Sequence, residues 1–350
     1  MVNVTGTSPS SLLPDIPVPS ASYGSWFPSH KGMIILGILT GYIASSIFFL
    51  KFPTLIHRKK KQAFKCTHIS HRGGAGENLE NTMTAFRHAR SQGTEMLELD
   101  VHLSLDGEVV VAHDGVLTRT AGHAGRIAET NFADLPEMLE SLSVCFGNVN
   151  TARASNADRR MPLLREVFAE FPTLPINVDL KENSDVLVRK TSELIKEFRR
   201  EHLTVWGNAR DAVAQKCRRE NPNIPMFFSI RRALVTLLLF WTGLLPFLPI
   251  KEEFFEICMP SIFLNTSTSF AVAKRSTRLT IWIFDKLMMR KTLIDHLKKR
   301  GIQVYIWVLN DEADFTRAFE LGATGVMTDF PTLLSNYLKE RPLYLLPNHL

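Results

Sequence analysis

Cysteine is scarce and scattered. Cys66, Cys145, Cys217 and Cys258 are spread through 350 residues, with no C-x-x-C pair and no cluster of histidines beside them, which argues against a disulfide framework or a zinc site and fits a reducing compartment. Charge of one sign is also thin. The formal excess is +6, and much of it falls between Lys51 and Lys65, so it points to an anionic membrane surface near that segment and away from nucleic acid. Residues 1–30 carry one acid, Asp15, and no periodicity; they read as a disordered tail. Periodicity is weak again from 115 to 160.

Two long uncharged runs stand against these absences. Met33 to Leu50 rises about 1.5 Å per residue as a helix and can span a thin bilayer such as that of the endoplasmic reticulum. It starts late and lacks a preceding basic segment, so an uncleaved anchor over 31–51 is expected in place of a signal peptide. Lys31 alone precedes the run, whereas Lys51, Arg58, Lys59, Lys60, Lys61 and Lys65 follow it in a basic linker over 52–65. The chain beyond should therefore face the cytosol. The second run, Ala233 to Ile250, lies between Arg231-Arg232 and Lys251-Glu252-Glu253. A second span would divide one domain across the membrane, so 233–250 is expected as a hydrophobic flap in the interface.

The composition, 45% hydrophobic, supports one large core, and a single β/α barrel of about 250 residues plus an appendage fits the length. The stretch from His71 to Asp114 carries the densest chemistry. Strand side chains alternate faces, so in Met96 to Val101 the carboxylates Glu98 and Asp100 share one face and Leu97, Leu99 and Val101 the other. Asn177 to Lys181 repeats the device with Asp179 and Lys181. Acids on one face and aliphatics on the other suit a barrel whose interior opens at one end. Strands are expected at Thr67–His71, Met96–Val101, Val109–His113, Ile176–Lys181, Leu203–Trp206, Met226–Ser229, Ile302–Val308 and Gly325–Thr328. Helices are expected after Asn81 as N-cap, at Met161–Phe171, at Ser184–Arg200, ahead of Gly301 and at Asp311–Leu321.

Taken in order, His71-Arg72-Gly73, Glu80-Asn81-Thr82, Glu98-Leu99-Asp100-Val101, Asp106-Gly107, Val111-Ala112-His113-Asp114, Asp179-Leu180-Lys181, Trp307 and Gly325 to Pro331 resemble the glycerophosphodiester phosphodiesterase family. The resemblance covers roughly 66–338 and leaves 339–350 as a tail. It implies a TIM-type (β/α)8 barrel, which would follow the N-terminal transmembrane helix read above, with a small insertion after the third strand, placed here at 115–160. It implies that Glu98, Asp100 and Asp179 hold Mg²⁺ or Ca²⁺ through hard oxygen ligands, although the family usually has glutamate where Asp179 stands. His71 and His113 become general base and acid, and Arg72 and Lys181 clamp the phosphate. Asp114 orients His113 or caps a turn, Glu80 stands behind the site, and Trp307 lines the pocket or the core. His68, His88, His102 and His123 are expected to be ordinary surface or helix residues.

The family hydrolyses glycerophosphodiesters through the substrate's own 2-hydroxyl. An anchor and an apolar flap suit its membrane-bound lysophospholipase D subgroup, which acts on lysophosphatidylcholine, lysophosphatidylethanolamine or the N-acyl form and leaves lysophosphatidic acid. A phosphodiesterase for soluble glycerophosphodiesters is the nearest alternative, and a catalytically silent lipid-binding protein is the alternative from another class.

Overall fold

The computed structural model describes residues 1, 2, 6, 30–144, 146, 152–153, 158–265, 272 and 274–345. The expected disordered tail lies almost wholly outside the described residues, as do Cys145 and the last five positions of the expected C-terminal tail. Two units divide the chain, Met1–Ser45 and Ser46–Leu350. Helix α1, His30–Lys51, begins in the first and ends in the second. It is the one described helix long and apolar enough to cross a membrane. Its 22 residues rise about 33 Å, which matches a hydrocarbon thickness of about 30 Å.

The second unit is built on strands β1 His68–Ser70, β2 Met96–Leu103, β3 Val109–Val111, β4 Ile176–Leu180, β5 Thr204–Gly207, β6 Phe254–Cys258, β7 Gln303–Trp307 and β8 Gly325–Thr328. Seven of them run parallel in the order β5-β4-β2-β1-β8-β7-β6. The gap between β5 and β6 is spanned at 226–227 by parallel bridges, Trp206 to Met226 and Phe227 to Phe254. This gives a nearly closed barrel in which the segment expected as a strand at Met226–Ser229 occupies the eighth position without forming a regular ladder. One expected barrel strand is corrected. β3 pairs antiparallel with β2, Val101 opposite Val111 and Leu103 opposite Val109. The turn at Asp106-Gly107 is too short for the crossover helix a parallel pair needs.

Helices surround this sheet because their apolar residues recur on one side. Helix α2, Met83–Ser91, buries Phe86 and Ala89 and is capped by Thr82, whose hydroxyl accepts from the Ala85 amide. The cap falls one residue after the expected Asn81, which instead adopts positive φ and sends its side chain into the barrel. Helices α3 Leu164–Glu170, α4 Asp185–Glu197 and α5 Asp211–Glu220 follow. In α4, Ser184 caps the Leu187 amide and Leu187, Thr191 and Ile195 form the buried stripe. Then come α6 Ile230–Trp241, α7 Arg275–Met288, α8 Lys291–Lys299, α9 Glu312–Glu320 and α10 Pro331–Glu340. The outward strand residues Leu97, Leu99, Val178, Leu180 and Trp206 meet α2 to α5 in one buried cluster. Phe255, Ile257, Val304, Ile306 and Val326 meet the later helices in another.

The inward residues change character along the strands. Ile69, Met96, Val205, Phe254, Tyr305 and Met327 form an apolar plug near the strand starts, whereas Glu98, Asp100, Asp179 and His71 lie towards the C-terminal ends. The plug keeps water out from below, so polar chemistry is confined to the C-terminal mouth, as in other β/α barrels.

Two of the buried histidines lie outside that mouth, and His68 is no surface residue as expected. Burial lowers the pKa of His68 and of His296 to about 4. Both rings are neutral in the fold but protonate below about 6.5 in the unfolded chain. Their contribution to stability is therefore present at neutral pH and lost as the pH falls through 6.5 towards 4. The thermal unfolding midpoint should drop over that window. A His68→Gln variant should start lower at neutral pH and show a shallower descent, measured by circular dichroism across the pH series.

Candidate active site

Register brings the acids together. Adjacent strands β2 and β4 pair Asp100 with Asp179 and Glu98 with Asn177, so the side chains sit one strand spacing apart on the inner face. Lys181, just past β4, lies between the two aspartates, 2.7 Å from Asp100 Oδ1 and 2.6 Å from Asp179 Oδ2. The second oxygen of Asp100 accepts from Asn81 Nδ2 at 2.9 Å, with Arg72 Nε 3.6 Å away. Asp179 Oδ1 accepts from Asn208 Nδ2 at 2.7 Å.

The turn after β1 aims Arg72. Arg72 has φ 49°, followed by Gly73 at 78° and Gly74 at 96°. A left-handed arginine costs of order 1 kcal/mol, and the next two positions admit only glycine. A Cβ on Gly73 would lie 2.7 Å from the Phe86 ring, and one on Gly74 2.7 Å from Pro331. The strained turn lets the Arg72 amide donate to Glu98 Oε2 at 2.8 Å and its guanidinium to Glu80 Oε1 at 3.2 Å. Glu80 also accepts twice from Arg119, at 2.6 and 3.0 Å, and Arg119 Nε donates to Asp114 Oδ2 at 2.5 Å.

Each candidate catalytic histidine is anchored through Nδ1. His71 Nδ1 is 2.7 Å from Asp329 Oδ1, and Asn310 Nδ2 donates to the other Asp329 oxygen at 3.0 Å. His113 Nδ1 is 2.5 Å from Asp114 Oδ1. With Nδ1 engaged, Nε2 is the atom each ring offers to a substrate. The His113 carbonyl is held by His102 Nε2 at 3.1 Å, and His102 Nδ1 by Glu182 at 2.7 Å. His102 is thus a buried support, not the ordinary residue expected.

Burial lowers the pKa of His71, with Asp329 acting against the shift, so the ring is neutral at physiological pH and able to accept a proton. Burial alone would raise Asp100, but Lys181 and Arg72 hold it well below the usual carboxylate range. Burial and the Asp100 charge raise Glu98. Glu256, on β6 across the barrel, is pushed up to about 8 by burial, and both its oxygens accept from Asn177 Nδ2 at 2.8 Å.

A hard divalent cation suits this donor set. Three carboxylates face two cations, one of which, Arg72, is shared with Glu80. Two buried amide oxygens, Asn81 Oδ1 and Asn177 Oδ1, accept no hydrogen bond. Acceptors are therefore in excess, and all are oxygens of the kind Mg²⁺ and Ca²⁺ take. Among the described residues no three acidic, histidine or cysteine side chains close on one point as ligands; Lys181 stands between Asp100 and Asp179.

Eight of the ten expected site residues, His71, Arg72, Glu98, Asp100, His113, Asp179, Lys181 and Trp307, line one cavity of about 470 Å³. Glu80 and Asp114 stand behind it, joined through Arg119. Reading the sequence missed Asp329, Arg119, His102 and Glu256. Asp329 directly follows the last strand, where barrel enzymes place functional groups, and that position was the available signal. Glu256 is a lone acid alternating with Phe255 and Ile257 in a strand that was not expected. Arg119 lies in the aperiodic stretch and left no signal.

Asp329→Asn should keep the ring in place but remove the charge behind it. Turnover of a phosphodiester substrate should fall by roughly 10²-fold with KM little changed. Because Asp329 raises the His71 pKa, the acid limb of the kcat/KM profile should move to lower pH. A purely structural role for Asp329 would lower stability and leave that limb where it is.

A family model described as "Glycerophosphoryl diester phosphodiesterase family" matches residues 71–333. Lysophospholipase D GDPD1 of Homo sapiens is 54% identical over 310 residues, covering 89% of this chain and 98% of the relative. Lysophospholipase D GDPD3 of Homo sapiens is 41% identical over 303 residues, covering 87% and 94%. A crystal structure of a putative glycerophosphoryl diester phosphodiesterase from Silicibacter pomeroyi DSS-3 superposes with TM-score 0.57 at 17% identity, over 83% of this chain and 98% of that one. An Oleispira antarctica phosphodiesterase, in complex with the product sn-glycerol-3-phosphate, gives 0.54 at 19%, over 79% and 98%. Motifs, barrel and paired histidines agree with the family match across three quarters of the sequence: the chain belongs to the glycerophosphoryl diester phosphodiesterase family.

Proposed function

We propose that the protein is a membrane-bound lysophospholipase D. It hydrolyses a lysophospholipid such as lysophosphatidylcholine, lysophosphatidylethanolamine or its N-acyl form to lysophosphatidic acid and the free headgroup alcohol. The observation that carries this reading is the two-sided cavity: His71, His113, Arg72 and Lys181 form one wall, and Phe227, Phe228, Leu237 and Met288 the other. A water-soluble glycerophosphodiester has no use for the second wall. Similarity to two human lysophospholipase D proteins adds to it.

Arg72 and Lys181 bind the phosphate oxygens as charge-assisted donors. His71 Nε2 takes the proton of the substrate's 2-hydroxyl, whose oxygen attacks phosphorus, while His113 Nε2 gives a proton to the departing headgroup oxygen. A cyclic phosphate results. In the second step His113 removes a proton from water and His71 returns one to the 2-oxygen, so both rings regain their starting states. Asp329 and Asp114 stabilise the imidazolium forms in turn. Glu98, Asp100 and Asp179 would hold Mg²⁺ or Ca²⁺, which when bound neutralises charge on the phosphate. The helix α1 and the basic residues that follow it support a single-pass anchor with the barrel in the cytosol, in the endoplasmic reticulum or another cytoplasmic membrane.

Full-length protein in detergent should release choline from lysophosphatidylcholine with kcat/KM well above that for glycerophosphocholine. His113→Ala should cost roughly 10²- to 10⁴-fold. EDTA should abolish the activity and Mg²⁺ or Ca²⁺ restore it. A 2-O-methyl substrate should resist cleavage; its turnover at the normal rate would rule out the internal nucleophile. Cleavage of glycerophosphocholine alone would overturn the lipid reading, and inactivity on both would favour a silent binder.

A further inference from the structure

The apolar wall of the cavity does not end inside the protein. Helix α6 contributes Ile230, Ala233, Leu234 and Leu237 to the lining, the i, i+3, i+4, i+7 set that forms one face of a helix. Helix α7 contributes Phe284 and Met288, one turn apart. Three of these residues also face outwards: Ile230 is 62% exposed, Leu234 48% and Phe284 36%. They form a rim, and the same two helices carry further exposed apolar residues, Leu238 and Trp241 on α6 and Trp282 and Leu287 on α7.

The rim is built, not frayed. Ser229 caps α6 through the Arg232 amide, and Arg232 pairs with Glu252 at 3.0 Å. At the other end the two helices are tied where Trp241 Nε1 donates to the Leu287 carbonyl at 3.1 Å. Arg290 lies over the Trp241 ring at 5.6 Å and Lys286 over Trp282 at 6.0 Å, the aromatic and basic pairing of helices that lie at a lipid interface. The turn after α6 packs on the end of α1, with the Ser46 hydroxyl bonded to the Gly243 carbonyl at 2.7 Å and Phe49 against Phe247 at 5.8 Å.

We propose that the groove between α6 and α7 holds the single hydrocarbon chain of the lysolipid, and that Leu234 and Phe284 at its rim set the preference for chain length. The proposal rests on the lysophospholipase D reading and names the part of the site that distinguishes a lipid from a glycerophosphodiester. A long chain leaves the cavity over Leu234 and Phe284 and is covered by them. A short chain ends before the rim. Leu234 and Phe284 offer hydrocarbon alone, so selection at these two residues is by length and apolar contact.

The test uses full-length protein in detergent with lysophosphatidylcholines from hexanoyl to stearoyl, and glycerophosphocholine as the substrate without a chain. Leu234→Gln and Phe284→Gln place polar groups on two separate helices at half-exposed positions, and Val186→Gln on α4 serves as an exposed control. Each rim variant should raise KM for the stearoyl lipid by roughly tenfold, the worth of about two methylenes. It should leave kcat for that lipid and kcat/KM for glycerophosphocholine and the hexanoyl lipid near wild type; Val186→Gln should leave the whole profile unchanged. Wild-type preference for long chains that both rim variants retain would overturn the groove and leave the lysophospholipase D reading standing. An equal loss on every substrate would also overturn it. A wild type that cleaves glycerophosphocholine and no lysolipid removes the underlying reading and the groove with it.

Discussion

Asp100 sets the terms for the rest of the site. Its carboxylate is almost wholly buried inside the barrel, where an unpaired charge is far too costly to keep. It survives because Lys181, Arg72 and Asn81 all reach it. Two of those partners, Arg72 and Asn81, come from the connection between β1 and α2, and the third from the end of the neighbouring strand β4. A slip of one residue between β2 and β4 would send Asp100 and Asp179 to opposite faces; Lys181 would move with Asp179 and leave Asp100 without its ammonium partner. The ion pair is thus a condition on strand register as well as on charge. Such a pair is weak evidence for stability, since its desolvation offsets most of its attraction; its retention in a barrel that could be filled with aliphatics speaks for chemistry.

The arginines extend that condition outwards. Arg72 is strained, yet its amide holds Glu98 and its guanidinium holds Glu80. Glu80 is shared with Arg119, which fixes Asp114 and through it His113. A chain of charge-assisted bonds therefore runs from the loop after β1 to the loop after β3 and joins two parts of the cavity lining, Arg72 and His113. On the opposite side Asn310 and Asp329 hold His71 independently. The two rings are thus anchored through separate carboxylates, Asp329 for His71 and Asp114 for His113.

Periodicity and glycine punctuation made most of the parallel strands legible, together with the capped helix after Ser184 and the shared face of Glu98 and Asp100. What stayed hidden had physical reasons. β6, Phe254–Cys258, is short, carries Glu256 at its centre and follows a charged run, so its alternation had too few residues to register. Helix α7 follows a stretch without period and mixes exposed Trp282 and Ile283 with basic residues, a pattern a helix buried on one side does not have. β3 has the composition of a buried strand, and only the tight turn before it betrays a hairpin. Asp329 was visible as a residue and invisible as a partner, because its role depends on a contact 258 positions away in sequence. The motif residues were easier to place, since eight of the ten share one cavity.

The apolar run at 233–250 is continuous in hydropathy and interrupted in the fold. Eighteen uncharged residues are enough for a span on composition. The run is divided, however: α6 has 12 residues, Gly243 turns the chain with φ 76°, and a short 3-10 helix follows at Leu245–Phe247. Twelve residues rise only about 18 Å, well short of a hydrocarbon core of about 30 Å. Its apolar residues are instead divided between two uses, one set facing the cavity and the other facing out, with Leu234 in both. A soluble barrel helix would carry charge on the outer set, and a span would leave the inner set without a cavity to line. A helix apolar on both sides, beside a polar site, is what a substrate with one charged end and one hydrocarbon end requires.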